Sequence, residues 1–223
     1  MRRFRTEKTI GLSDVDAAGR LRLDVVARYL QDAASEDVTD VGRPPSEHFW
    51  VVRRTELEVV EPFADDLRVE LETWASGTAP TAASRRYTLR GDNGGHIEAE
   101  SIWIHLDRAL RPLRLDDGFL EIYGPSTEGR RASTRLTLPP PTVAPTRDWP
   151  LRVTDIDRLG HVNNAAYWSP VEELWAGRLG GRLRAVMEYR KPIDLGERVE
   201  LAQDGDLLWL VVGGEVRAAA ALA

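Results

Sequence analysis

The sequence predicts an α+β protein made of two similar units, and three observations support this. The pattern Asp-x-Asp-x-x-Gly occurs twice, in residues 13–25 and again in residues 155–167. Each occurrence is followed by apolar residues at helical spacing, and then by segments rich in β-branched and aromatic residues. A proline-rich stretch at residues 124–150 lies between the two. We therefore expect folded units at residues 1–123 and 151–223, joined by an extended connection.

Further matches between the two units indicate a duplication. Beyond the motif itself, PFADDLRVEL at residues 62–71 resembles PIDLGERVEL at residues 192–201. The glycine pair before Ile97 recurs before Val216. The order of the matches is kept while the sequence separation between copies decreases, as expected for a second copy with shorter connections.

Each unit is predicted to contain an opening strand, one helix and an antiparallel meander. In the first unit a strand at 3–12 precedes a helix whose apolar stripe consists of Leu21, Val25, Val26, Tyr29, Leu30, Ala33 and Ala34. The strands predicted to follow are residues 49–60, 67–75, 84–89 and 96–107, with a tight turn at 92–95. In the second unit we expect a strand near 151–154, a helix near 164–179, and strands near 184–190, 198–203, 207–212 and 215–222.

A long helix wrapped by an antiparallel sheet is the hotdog arrangement. An isolated unit would leave one sheet edge and part of its helix uncovered, and a second unit can cover both. The predicted fold is therefore α+β, as a tandem or double hotdog.

Composition and motifs exclude several kinds of function. The chain has no cysteine, which excludes a disulfide, a thiolate metal site and a cysteine nucleophile. The four histidines show no ligand spacing, and G-x-S-x-G, phosphate-loop and H-E-x-x-H motifs are missing, so we expect neither a metal nor a cofactor. No apolar stretch is long enough to span a bilayer, and no apolar signal segment follows the basic start. These features predict a cytoplasmic protein.

The charge distribution bears on the partners of the protein. A net charge of −6 argues against wholesale nucleic-acid binding. Arginines cluster at residues 2–5, 130–131 and 182–184, where an acidic protein could dock. Solvated surface arginines are the simpler interpretation of each cluster.

The second motif carries the candidate catalytic groups. Asp155, Asp157, His161 and Asn163 share parity, so an extended backbone would direct them to one side. Asn163 or Asn164 then precedes the predicted helix as its N-cap, and the free amides of a helix N-terminus can hold a developing oxyanion. A carboxylate, an imidazole and a helix N-terminus would thus meet at one point.

This combination suits hydrolysis of an activated acyl compound. Asp157 would activate water or attack directly, while His161 and the helix amides stabilise charge on the carbonyl oxygen. Taken alone, Asp157 would more often be a turn or capping aspartate, and His161 a structural histidine. The first motif has Arg20 and Arg22 at the positions of His161 and Asn163, which favours chemistry in the second.

One helical carboxylate is a possible supporting group. Glu173 follows Asp157 at the same spacing as Asp32 follows Asp16, and it could orient water or a site side chain. A capping or surface role is the alternative, since a helical glutamate is usually a surface group.

The second motif belongs to a longer string, Arg152-x-x-Asp155-x-Asp157 ahead of His161-Val162-Asn163-Asn164-x-x-Tyr167. Further strings are Asp14 to Gly19 with Leu30-Gln31-Asp32-Ala33, Trp50-Val51-Val52, Thr73-Trp74, Arg85-Arg86, Ser101-x-Trp103 leading to Asp107, and Arg111-Pro112. In these strings the sequence resembles the fatty acyl-ACP thioesterases over nearly its whole length, and more loosely the hydroxybenzoyl-CoA type of single-hotdog thioesterase. The first string is the most specific, and the others support it.

The resemblance implies hydrolysis of an acyl thioester carried on acyl carrier protein, which is acidic, with release of a free fatty acid. The family's catalytic aspartate and histidine carry over to Asp157 and His161. Where family members have an asparagine between these two, the chain has Leu159, and where they have a Glu-Cys pair it has Lys191-Pro192. These departures leave an aspartate-centred mechanism, with Asn163 as a substitute polar group.

The resemblance also implies that the first unit accommodates the acyl chain. Val25, Val26 and Tyr29 would then line a tunnel, although such a helix stripe is more often plain core. Leu159 and Tyr167 are further expected substrate contacts. Acyl-CoA as carrier and a non-catalytic acyl-binding or acyl-sensing role remain alternatives, as do a monomer and a homodimer.

Overall fold

The computed structural model describes residues 1–42 and 48–223. In the described part of the N-terminal half, two helices accompany five strands. These elements are β1 (Phe4–Thr9), α1 (Leu23–Asp40), β2 (Phe49–Glu61), β3 (Arg68–Ala79), β4 (Ala82–Gly91), β5 (His96–Leu106) and α2 (Asp117–Thr127).

The C-terminal half repeats this order in shorter form. Its elements are β6 (Arg147–Trp149), α3 (Ser169–Trp175), β7 (Leu183–Tyr189), β8 (Val199–Asp204), β9 (Leu207–Val212) and β10 (Glu215–Leu222). Short 3-10 turns lie at Val153–Asp155, Ala166–Trp168 and Ala176–Arg178. Most of the strands confirm the predicted ones to within a few residues, because period-2 patterning and turn residues set strand limits locally.

All ten of these strands form one antiparallel sheet, in the order β1-β3-β4-β5-β2-β7-β10-β9-β8-β6. The order of the second five strands mirrors that of the first five. The halves meet where β2 pairs with β7, from Arg54 opposite Glu188 to Val59 opposite Leu183. This pairing covers one sheet edge of each half, as expected for two units that would be incomplete alone.

The core is continuous across the two halves. The buried face of α1 packs in the same apolar cluster as Trp168 and Val171 from the C-terminal half, both of which have no exposed surface. Complete burial of one large apolar side chain contributes about 1.5–3 kcal/mol. The helical segments of the two halves are therefore held side by side.

The second helix differs from the predicted one. The predicted helix at 164–179 is three consecutive short segments, of which only α3 is an α-helix. Pro170 has no backbone N–H and fits only in the first helical turn, so α3 begins at Ser169. Gly177 and the pair Gly180-Gly181 follow, where helix propensity is low.

Two further elements lie at positions other than those predicted. The expected strand at 151–154 is instead β6 at Arg147–Trp149, because the Asp155 carboxylate accepts the Arg152 amide at 2.8 Å and closes a turn there. The expected extended connection at 124–150 begins inside α2, which runs to Thr127 and includes Pro125. Asp116 caps α2 by accepting the Phe119 amide. This sequence signal for the start of α2 lies before residue 124, where the predicted connection begins.

After α2, the connection first pairs with Thr78 of β3 through residues 130–132 and then lies against the C-terminal half of the sheet from Thr137 onwards. Glu188 of β7 is fully buried and accepts hydrogen bonds from the amides of Thr137 and Leu138. The indole of Trp209 donates to the carbonyl of Pro139 at 2.8 Å. These contacts fix the path of the connection between α2 and β6.

Candidate active site

The two Asp-x-Asp-x-x-Gly motifs form the same hairpin turn. In the second, the Asp157 amide donates to the His161 carbonyl at 2.8 Å, and the Gly160 amide donates to the Asp157 carbonyl at 3.0 Å. Gly160 has a φ of +83°, which glycine adopts readily and which strains the backbone of other residues. The motif therefore sets a backbone shape, whatever the side chains at its other positions do.

The first motif repeats these contacts with the same distances. The Asp16 amide donates to the Arg20 carbonyl at 2.8 Å, and the Gly19 amide donates to the Asp16 carbonyl at 3.0 Å. Gly19 has a φ of +79°. Residues that correspond in the two copies of the motif are thus equivalent in structure.

Ion pairs occupy the first turn. The Arg20 guanidinium donates to Asp16 at 3.0 Å and to both carboxylate oxygens of Glu172, which reaches across from α3. Glu172 also accepts the amide of Leu23, the first residue of α1. Burial by itself raises the pKa of Asp16, but the amides of Arg20 and Ala18 and the arginine charge outweigh it and lower this pKa.

The second turn holds an imidazole and a carboxylate instead. His161 Nδ1 lies 2.5 Å from Oδ1 of Asp194, in the loop before β8. Asp157 Oδ1 accepts the Leu159 amide at 2.8 Å, and no described residue donates to its Oδ2. Asp157 and His161 face each other across the turn as a backbone pair, so cross-strand geometry directs their side chains to the same face.

Asp155 and Asn163 have structural contacts at the base of the turn. Asp155 is buried and pairs with Arg152, as Asp14 accepts the Gly11 amide in the first copy. The Asn163 side chain accepts the Ala165 amide at 2.9 Å. Sequence parity predicted that Asp155 would project towards the same point as Asp157 and His161. Instead, its carboxylate is used in the contact with Arg152.

The predicted oxyanion donors need correction. The Ala165 amide is taken by the Asn163 side chain, and the Ala166 amide by the Asn163 carbonyl at 2.9 Å. The chain turns tightly here before any α-helix begins, so these two amides point back into their own turn. Donors for a carbonyl oxygen must come from another group, and Asn164 is the next candidate along the chain.

Asn164 lines a narrow cavity between the two halves. Its lining consists of Ala27, Leu30, Gln31, Val52, Thr55, Ser101, Trp103, Asn164 and Tyr189. The cavity volume is about 10 Å³, which is room for about one water molecule. Its polar lining residues are Gln31, Thr55, Ser101, Asn164 and Tyr189. Neither Asp157 nor His161 lines this cavity, so the predicted meeting of the carboxylate, the imidazole and the chain amides at one point is not found there.

Two tyrosines support the Asn164 side of the cavity. The Tyr189 hydroxyl donates to the Asn164 carbonyl and accepts from the Trp168 indole, both at 3.1 Å. Tyr167 packs edge-on against Tyr189, with ring centroids 5.2 Å apart. Burial raises the pKa of both tyrosines, so each stays neutral at physiological pH.

Several predicted substrate contacts lie elsewhere. Val25 and Val26 are completely buried in the core and do not line the cavity. The Tyr29 hydroxyl donates to Asp14 at 2.9 Å. Leu159 is 43% exposed at the tip of the turn. The α1 residues that line the cavity are instead Ala27, Leu30 and Gln31.

The predicted supporting residue Glu173 is exposed on α3, and its neighbour Glu172 makes the contacts. Sequence reasoning also missed Gln31 and Asp194. Aligning the two copies of the motif pairs Gln31 with Glu172, and this alignment could have indicated Gln31 and Glu172. Asp194 follows Lys191-Pro192 closely, so the departure from the family pattern was the available signal.

The described residues contain no group of three or more carboxylate or imidazole side chains placed to hold a metal ion. Among the same residues, no helix is long and apolar enough to cross a membrane.

The sequence and structure were compared with those of known proteins to identify the family. The family model for the acyl-ACP thioesterase N-terminal domain matches residues 2–123, and that for the C-terminal domain matches residues 140–208. The uncharacterized protein Rv2001 of Mycobacterium tuberculosis is 37% identical over 227 residues, which cover 98% of this chain and 91% of that protein.

Two solved structures are similar over almost the whole chain. An acyl-ACP thioesterase from Bacteroides thetaiotaomicron has a TM-score of 0.82 at 19% identity, covering 99% of this chain and 96% of that one. The 12:0-ACP thioesterase from Umbellularia californica has a TM-score of 0.78 at 20% identity, with the same coverage. Both show that an antiparallel sheet with few helices, consistent with a hotdog fold, is shared. Because both family models match in order along the sequence, the chain belongs to the acyl-ACP thioesterase family.

Proposed function

We propose that the protein hydrolyses fatty acyl thioesters of acyl carrier protein to the free fatty acid and the free carrier thiol. Family membership supports thioester hydrolysis, and the name of the Umbellularia californica protein, 12:0-ACP thioesterase, supports this carrier. Acyl-CoA is the alternative carrier. We further propose a double hotdog, with an N-terminal unit at 1–123 that accommodates the acyl chain and a C-terminal catalytic unit at 151–223.

One observation carries the assignment of the reaction centre. Two turns share a backbone, but the first is closed by the ion pairs of Arg20, whereas the second presents His161 beside Asp194. The second turn also continues directly into Asn164 at the cavity. The chemistry therefore belongs to the second turn.

His161 is suited to accept a proton. An ionised carboxylate only accepts hydrogen bonds, so Asp194 fixes the proton of the neutral imidazole on Nδ1. Nε2 is then an acceptor and can take a proton from water. As the water oxygen bonds to the acyl carbon and the carbon–sulfur bond breaks, the same proton passes from Nε2 to the departing thiolate.

Asp157 provides the second catalytic carboxylate. The Leu159 amide holds its Oδ1, and Oδ2 keeps a lone pair directed away from that bond. It could act on water, or attack the acyl carbon itself to form an anhydride that water then cleaves. A single turnover in ¹⁸O-labelled water detects the second route: when water cleaves the anhydride at the carboxyl carbon of Asp157, the unlabelled enzyme oxygen leaves with the first product and the label enters Asp157.

The remaining site residues position these groups. Asn163 ties the second turn to the segment that carries Asn164. We assign the carbonyl oxygen of the thioester to the side-chain amide of Asn164, which lines the cavity. Tyr167 supports this wall through Tyr189, and Leu159 offers an exposed apolar contact at the tip of the second turn.

The test is a profile of free acids and free thiols after incubation with series of acyl-ACP and acyl-CoA substrates. Turnover on acyl-ACP, with little on acyl-CoA, supports the proposal, and the opposite preference supports the alternative carrier. Asp157→Ala should lower kcat by about 10²- to 10⁴-fold. An unchanged rate in this variant would remove Asp157 from the mechanism.

A second candidate is a non-catalytic acyl-binding protein. Leu159 stands where family members have an asparagine, and the cavity of about 10 Å³ must widen before an acyl chain can enter. Tight binding of acyl-ACP without release of thiol, even at long incubation, would favour this candidate.

A further inference from the structure

Gln31 of α1 is the structural counterpart of Glu172. Their separation in the sequence equals that between Asp16 and Asp157. In the N-terminal turn, Glu172 reaches across to the amide of Leu23. The equivalent of Leu23 is Asn164, and Gln31 lines the same cavity as Asn164. Each half therefore places one helical side chain at the turn of the other half.

The two counterparts differ in their hydrogen bonds. Glu172 is paired with Arg20 and with the start of α1. The side-chain oxygen of Gln31 is buried and accepts no hydrogen bond from the described residues. Buried polar atoms without a partner are rare, and they call for a ligand, a water molecule or a catalytic role. The adjoining cavity has the volume of about one water molecule.

Other polar groups around the cavity already have partners. Ser101 is bonded to the Tyr87 hydroxyl at 3.0 Å and to the Trp103 indole at 2.6 Å. The Tyr189 hydroxyl is held by Asn164 and Trp168. The Thr55 hydroxyl interacts with that of Tyr189. The side-chain amides of Gln31 and Asn164, among the described lining residues, are left to interact with a small polar molecule: Gln31 offers an acceptor and Asn164 offers donors.

We propose that Gln31 holds the attacking water, so that the N-terminal half contributes a catalytic residue to the reaction centre of the C-terminal half. This inference rests on the proposed function. Once the cavity widens for the acyl chain, one water O–H donates to the Gln31 oxygen and the other to Nε2 of His161, which does not line the cavity in this structure. The water lone pair then points to the acyl carbon whose oxygen is bound by Asn164. The first proton goes to His161 and the second remains in the product acid.

The test compares Gln31→Met, which keeps length but removes the acceptor, with Gln31→Glu, which keeps an acceptor. Gln203→Met, at an exposed position on β8, is the matched control. For each purified full-length variant we would measure kcat, KM, the thermal midpoint and the affinity for a non-hydrolysable acyl-CoA or acyl-ACP thioether.

For Gln31→Met we expect kcat to fall by about 10- to 100-fold, the loss of one hydrogen bond to the reacting water. KM and thioether affinity should stay within about twofold, and Gln31→Glu should recover most of the rate. Wild-type kcat in Gln31→Met overturns the inference. The inference is also overturned if Gln31→Glu folds but has a kcat as low as that of Gln31→Met. A wild-type protein that hydrolyses no acyl thioester would instead overturn the proposed function, together with this inference, before any variant is compared.

Discussion

The two hairpin turns have one backbone and opposite side-chain chemistry. In the N-terminal turn Arg20 neutralises Asp16 and Glu172, so every charged group has a partner. In the C-terminal turn His161 pairs with Asp194, while Asp157 keeps an oxygen without a donor among the described residues. The backbone motif therefore provides a scaffold, and the side chains that follow its glycine decide whether the scaffold stabilises or reacts.

The comparison also shows how the halves depend on each other. Glu172 from α3 completes the N-terminal turn and the start of α1. Gln31 from α1 lies at the cavity beside the C-terminal turn. One crossing contact is a satisfied ion pair that stabilises the fold, and the other is an unsatisfied amide at the candidate site. Four substitutions test this difference, from the largest expected effect to the smallest.

His161→Arg gives the second turn the residue of the first. We expect kcat on acyl thioesters to fall by about 10³-fold, because the guanidinium cannot accept a proton and would pair with Asp157. The thermal midpoint should stay near that of the wild type. A variant that retains more than a tenth of the wild-type rate would remove His161 from proton transfer.

Glu172→Ala breaks the contact that closes the first turn. We expect the free energy of unfolding to fall by about 3 kcal/mol, because Arg20 would be left buried without a carboxylate from α3 and α1 would lose its cap. Chemical denaturation measures this loss. The adjacent exposed Glu173→Ala is the matched control, with an expected change within about 0.5 kcal/mol. Equal losses in both variants would contradict the assigned role of Glu172.

Asp194→Asn tests the pair in the second turn. We expect kcat to fall by about tenfold, because the neutral imidazole is no longer held with its proton on Nδ1. Asp206→Asn is a close control, since Asp206 and Asp194 are each 60% exposed and each 2.5 Å from a basic side chain. Asp194→Glu should restore part of the rate, and a control that loses as much activity as Asp194→Asn would argue against a specific role.

Acid should affect the first turn through Asp16. Its pKa in the folded chain lies below the ordinary value of 3.8. As pH falls through and below that value, the unfolded chain binds the proton first, so this contribution to stability is present above pH 3.8 and is lost on acidification. The loss of stability between about pH 5 and 3 should be smaller in Asp16→Asn, as followed by thermal midpoints. Parallel curves for variant and wild type would contradict the predicted contribution.

Most of the fold could be predicted from the sequence because its signals are local. Alternating residues and turn glycines set the strands, and the repeated motif predicted the repeated turn that the structure contains. The second helix was predicted too long, since a helical stripe does not show where Pro170 and Gly177 interrupt it. The helix α2 was missed because it runs into a proline-rich stretch.

The candidate site was predicted in part. Asp157 and His161 were identified because the motif of the second copy adds a histidine that the equivalent turn lacks, and a difference between two copies is visible in sequence. Whether the amides at 165 and 166 were free depended on where Asn163 folds back, which the tertiary structure decided. Gln31, Glu172 and Asp194 come from distant segments, and only packing brings them to the turns.

The sequence by itself determined the duplication, the strand pattern, the turn shape and the polar residues that distinguish the second copy. Each of these depends on residues close together in the chain or on direct comparison of its halves. The tertiary structure decided which partners meet those residues, because hydrogen bonds and ion pairs depend on distances that the sheet order and the packing of α1 against α3 create. The candidate site is therefore built from both halves.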